Sequence, residues 1–101
     1  MEKAYNYTVT DEEIFENVLK DENIMLNHVV IPAGKVFPKH PTDADVYATI
    51  IRGQLSLTIG DQDENVYVKG QVVTIPKGTM SELGNKGEGI TEMFVVKCNL
   101  D

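Results

Sequence analysis

The sequence predicts an all-β fold, an antiparallel sandwich or jelly-roll barrel with few or no helices, on three observations. Short apolar, β-branched runs follow one another along most of the chain, separated by turn residues roughly every eight to twelve positions. The run Gln54 to Ile59 sets Leu55, Leu57 and Ile59 against Gln54, Ser56 and Thr58, the period of a strand with one face in and one out. Strands do not alternate with amphipathic helices, which argues against a parallel α/β sheet.

The first twenty residues read two ways. Thr10 and Glu13 fit a capping box, with Ile14, Phe15, Val18 and Leu19 on one helical stripe, yet Phe15 to Lys20 also suits a strand. The expectation is one helical turn near Asp11 to Ile14, then extended chain. Strands follow at Ile24 to Ile31, broken by Pro32-Ala33-Gly34, and at Val46 to Ile51, ended by Arg52-Gly53. After Gln54 to Ile59 comes the polar turn Gly60 to Asn65, a returning strand Val66 to Lys69, and another at Gln71 to Ile75. Pro76-Lys77-Gly78 turns, Gly84 to Gly89 forms a loop, and Ile90 to Cys98 is a long apolar final strand. One domain accounts for residues 1–101, with an N-terminal arm or strand at 1–20 and a barrel core at 23–98.

The bounds agree. A chain of 101 residues and 11.2 kDa has room for one domain. Its net charge of −7 argues against nucleic acid and anionic membranes, which need basic surface. No signal peptide or apolar span is visible, so a cytoplasmic protein is the expectation. The single cysteine, Cys98, has no internal disulfide partner and reads as a buried, inert thiol. His28 stands mid-strand among Ile24, Leu26 and Val30 and reads as packing.

Two spaced motifs carry the functional reading. Gly34 is followed after five residues by His40, then Thr42, then after three residues Val46, and after six more Gly53. Gly70 is followed after five residues by Pro76, then Gly78, Ser81 and Asn85. In these spacings the chain resembles a small single-domain cupin of the conserved-barrel type, over about half its length. The framework residues Gly34, Gly53, Gly70, Pro76, Gly78 and Asn85 match. The resemblance implies a barrel in which two histidines, a glutamate and a third histidine hold one divalent metal ion. Those four positions here are His40, Thr42, Val46 and Ser81, so one ligand of four is kept.

Hydroxyls bind transition metals poorly and valine not at all, and a tight site needs three or four protein ligands. The expectation is therefore a non-catalytic, small-molecule-binding barrel without a cofactor, its pocket lined by His40, Thr42, Val46 and Ser81. The less favoured alternative is a metal-dependent enzyme, a small dioxygenase or isomerase, using His40 with Asp43 or Asp45. In an unbroken strand, both aspartates have the parity that points away from the interior. A second register sets Pro38 and His40 at the two histidine positions and Asp45 at the glutamate, but its closing glycine falls one residue late. A third reading is a structural module with a filled barrel. Met80 and Met93 are candidate pocket liners. Apolar residues on both faces of Val46 to Ile51 and Ile90 to Val96 call for a cover, and a homodimer is expected.

Overall fold

The computed structural model of the chain describes residues 1–100. Nine strands form two antiparallel sheets: β1 (Ile14–Lys20), β2 (Ile24–Ile31), β3 (His40–Pro41), β4 (Asp45–Arg52), β5 (Gln54–Ile59), β6 (Asn65–Val68), β7 (Val72–Ile75), β8 (Met80–Gly84) and β9 (Thr91–Cys98). One sheet runs β1-β2-β9-β4-β7 and the other β3-β8-β5-β6. The all-β sandwich is as expected, and no helix occurs among the described residues.

The strand period places the core. Val29 and Ile31 on β2, Val46, Ala48 and Ile50 on β4, and Met93 and Val95 on β9 turn inward from the first sheet. Leu55 and Leu57 meet them from the second. Turns between strands use residues that tolerate a left-handed backbone: Gly78, at φ 85°, sits third in the Pro76–Thr79 turn closed by the Thr79 amide on the Pro76 carbonyl. Asn85 holds the opposite end. Fully buried, its Nδ2 donates to the carbonyls of Ile31 and Gly89, and its Oδ1 accepts from the Gly87 amide.

The helical turn expected near Asp11 to Ile14 is absent. The Thr10 hydroxyl does accept a backbone N–H, but from Glu12 two residues on, a local turn and not a helix cap. Glu13 pairs with Lys35 and Asp11 with Arg52, so both acids are drawn toward the sheet. The helical stripe is instead a bulged strand. Between Asn17 and Leu19 the β1–β2 register slips, and Asn17 Nδ2 bridges the slip through the carbonyls of Leu19 and Leu26 and the side chain of Asn27. Strand β8 was not expected, because its inward positions, Ser81 and Leu83, include a hydroxyl that interrupts the apolar pattern. Cys98, the last residue of the central strand β9, is free and only partly buried, not fully buried as expected.

Candidate functional site

The sandwich interior is packed at one end and open at the other. Ile50, Leu55, Leu57 and Val73 fill the closed end. Toward the other end lies a cavity of about 410 Å³, walled by Val29, Ile31, Phe37, Val46, Ala48, Ile75, Leu83, Met93 and Val95, with Phe15 at its rim. The polar groups gather among His40, Thr42, Asp43, Ser81 and Lys97. An apolar cleft of this size with few polar groups is the usual form of a small-molecule site.

His40, Thr42, Val46 and Ser81 all line this cavity, although 41 positions separate the first from the last. Cross-strand pairing brings them together, since β3 lies against β8 with His40 directly opposite Ser81. His40 is exposed, and its Nδ1 lies 3.0 Å from the Pro38 carbonyl. A carbonyl only accepts, so Nδ1 donates to it, and Nε2 is the ring nitrogen left without that contact. Thr42 is less available than its position suggests. Its hydroxyl donates to the Pro76 carbonyl at 2.8 Å and accepts from the Thr79 amide at 3.2 Å, which ties the mouth to the β7–β8 turn. Ser81 is the reverse: it is fully buried, and its hydroxyl has no hydrogen-bond partner.

The two aspartates diverge. Asp45 lies outside the cavity, where it accepts from the Lys77 amide at 2.8 Å and from the side chain of Asn99. The Lys77 amide, followed by Asn99, holds its carboxyl below the usual range. Asp45 therefore does not share the cavity that His40 lines. Asp43 does line the cavity, against the parity expectation, because the chain leaves the strand at residue 42 and bends at 43–44. The Lys97 ammonium lies 3.2 Å from its Oδ1 and holds its carboxyl low, first through that hydrogen bond and then through charge. Among the described residues, no three His, Cys, Asp or Glu side chains gather as metal ligands. Met93 lines the cavity, but Met80 does not; it alternates outward from Ser81 and is exposed.

Lys97 went unnoticed in the sequence, although a signal existed. It continues the inward alternation Met93, Val95, Lys97, and a cation on that parity must emerge at an open end.

On the outer face of the larger sheet, His28 is fully buried between two carboxylates. Its Nδ1 lies 2.8 Å from Glu16 and its Nε2 2.5 Å from Glu92. Glu92 also binds Arg52 Nε at 2.5 Å, and Arg52 reaches Asp11 at 2.7 Å. Tyr7 and Phe94 cover the imidazole, with centroids 4.9 and 5.1 Å away. The Thr8 amide, then His28, lowers the pKa of Glu16. The network fastens the N-terminal arm to the sheet and lies apart from the cavity.

Among the described residues, nine strands in two antiparallel sheets around an apolar cavity, with the spaced-motif positions His40, Thr42, Val46 and Ser81 on its wall, have the architecture of a small β-barrel domain. The sequence signature of the Cupin domain family matches residues 27–97, and the chain belongs to that family. Over 99 residues it is 33% identical to the uncharacterized protein MJ0764 of Methanocaldococcus jannaschii, covering 97% of this chain and 85% of that protein. The crystal structure of that RmlC-like cupin family protein, a double-stranded β-helix, matches with a TM-score of 0.91 at 32% identity, covering 97% of this chain and 91% of the other. A cupin-like protein of Thermotoga maritima matches with a TM-score of 0.78 over 85% of this chain and 68% of that one, and at 18% identity this likeness is one of fold.

Proposed function

We propose that this cupin is a non-catalytic, small-molecule-binding barrel that has lost the family's metal site. The observation that carries the reading is the open apolar cavity whose four family ligand positions hold His40, Thr42, Val46 and Ser81. One imidazole is too few for tight binding of a divalent transition metal. Among the described residues Asp43 is the only carboxylate lining the cavity; it already has the Lys97 ammonium beside it, and a metal ion there would meet that positive charge. The cavity itself weighs against a filled, purely structural barrel.

Metal content by plasma mass spectrometry on untagged protein, with Zn²⁺, Fe²⁺ and Mn²⁺ titrations, tests the first half. Substoichiometric metal and no saturable binding are expected; near-stoichiometric metal that disappears in His40→Ala would overturn the reading. The second half is tested with octan-1-ol on methyl-labelled protein. Saturable shifts at Val46, Val95 and Met93, abolished when Val46→Phe fills the cavity, are expected.

We further propose a homodimer. Tyr47, Thr49, Val72 and Thr74 form an exposed, uncharged patch on the outer face of β4 and β7. For chains of net charge −7, an uncharged face is where a second copy can approach with least repulsion. Light scattering at micromolar concentration should give twice the 11.2 kDa chain mass; a monomer mass would sink this proposal.

A further inference from the structure

The polar groups of the cavity are unequal, and their inequality points to a ligand class. Along β9, Met93, Val95 and Lys97 alternate onto the inner face, so the lysine runs from an apolar wall to the mouth. Its partner is held differently. The Lys97 side chain is 22% exposed and that of Asp43 is 80% exposed. The ammonium thus belongs to the cavity, while the carboxylate is a solvated counter-ion on the bend between β3 and β4. An ion pair with one partner so exposed contributes little, and a competing anion can displace it.

The second observation is Ser81. Its hydroxyl is buried in the cavity wall without a hydrogen-bond partner, an arrangement native proteins rarely leave unanswered. A ligand oxygen entering the mouth would answer it, and the ligand's apolar body would rest on Val46, Ala48 and Met93. One ammonium, with neither an arginine fork nor a helix N-terminus beside it, matches a single negative charge better than a phosphate dianion.

Resting on the small-ligand reading above, we infer that the barrel takes an amphipathic monocarboxylic acid whose carboxylate replaces Asp43 on Lys97. A neutral ligand would draw nothing from the lysine, and an amine would meet its charge.

Octanoate, octan-1-ol and octylamine share a chain and differ in their head, so they separate the two questions. Each is titrated into methyl-labelled protein, following Val46, Val95 and Met93. Octanoate should bind about tenfold more tightly than octan-1-ol, as a charge-assisted contact allows. Lys97→Met should erase that preference while leaving octan-1-ol affinity in place, and Asp43→Asn should strengthen octanoate binding by removing its competitor. Raised salt should narrow the gap. Equal affinities, or tightest binding by the amine, would overturn the carboxylate assignment and leave the small-ligand barrel standing. No saturable shift with any of the three would overturn both.

Discussion

Replacing His28 with alanine is expected to destabilise the fold by about 3–5 kcal/mol, the range for breaking a buried charge network by removing one partner. The ring is fully buried, and each of its nitrogens faces a carboxylate, Glu16 on β1 and Glu92 on β9. Without it, Glu92, only 6% exposed, keeps Arg52 alone, and a buried carboxylate with unmet acceptors is costly. The Tyr7 ring would also lose half of its seat, since it rests on both His28 and Phe94. Urea unfolding followed by circular dichroism measures the loss. In a domain of this size each kcal/mol lowers the melting temperature by about 4–8 °C, so a fall of at least about 12 °C should accompany it. Because Tyr7 and Thr8 fasten the arm through His28 and Glu16, cleavage in residues 1–13 should speed up in the same variant. A loss below about 1 kcal/mol with unchanged cleavage would show that the network contributes little and that packing by Tyr7 and Phe94 holds the arm.

This network also marks where sequence reasoning stopped. His28 read as packing because its neighbours in the chain are apolar, and it is indeed buried. Its partner Glu92 lies 64 positions away, and nothing local announces the pairing. The strands with clean alternation or β-branched runs, β2, β4, β5, β7 and β9, were legible almost residue by residue. Strand β3, two residues long, and strand β8, with Ser81 at an inward position, carry too little apolar pattern to be seen. The cavity positions His40, Val46 and Ser81 were reached through motif spacing, which encodes register across turns where periodicity is silent. Parity misled at Asp43, because it assumes an unbroken strand, whereas the strand is interrupted at 42–44 with a bend at 43–44. Thr42 shows a further limit: its place on the wall followed from spacing, but the use of its hydroxyl by Pro76 and Thr79 depends on a turn 34 residues on.

The two glycines that bound the first motif should respond very differently to alanine. Both have a left-handed backbone, φ 85° at Gly34 and 70° at Gly53. That conformation alone costs a non-glycine residue about 1–2 kcal/mol. At Gly34 an added Cβ would meet nothing within 4 Å, so strain is the whole effect, and Gly34→Ala should lose about 1 kcal/mol. At Gly53 the same atom would stand 2.1 Å from the Ile90 carbonyl oxygen and 3.2 Å from Thr91 Cα. These are backbone atoms at the entry to β9, and they cannot rotate away as a side-chain tip would. Moving them would also pull the Thr91 hydroxyl from the Gln54 carbonyl that it binds across the same junction. Overpacking of this kind adds about 1–3 kcal/mol, so Gly53→Ala should lose about 3 kcal/mol in all. Urea midpoints of the two variants give the difference directly, about 2 kcal/mol if the close approach matters as argued. Equal losses would mean that the β4–β5 turn relaxes away from Ile90 and that both glycines serve only their backbone angles. The expected inequality assigns the two motif glycines different physical duties: Gly34 permits a turn, whereas Gly53 lets that turn lie against the strand that carries Met93 and Lys97 into the cavity.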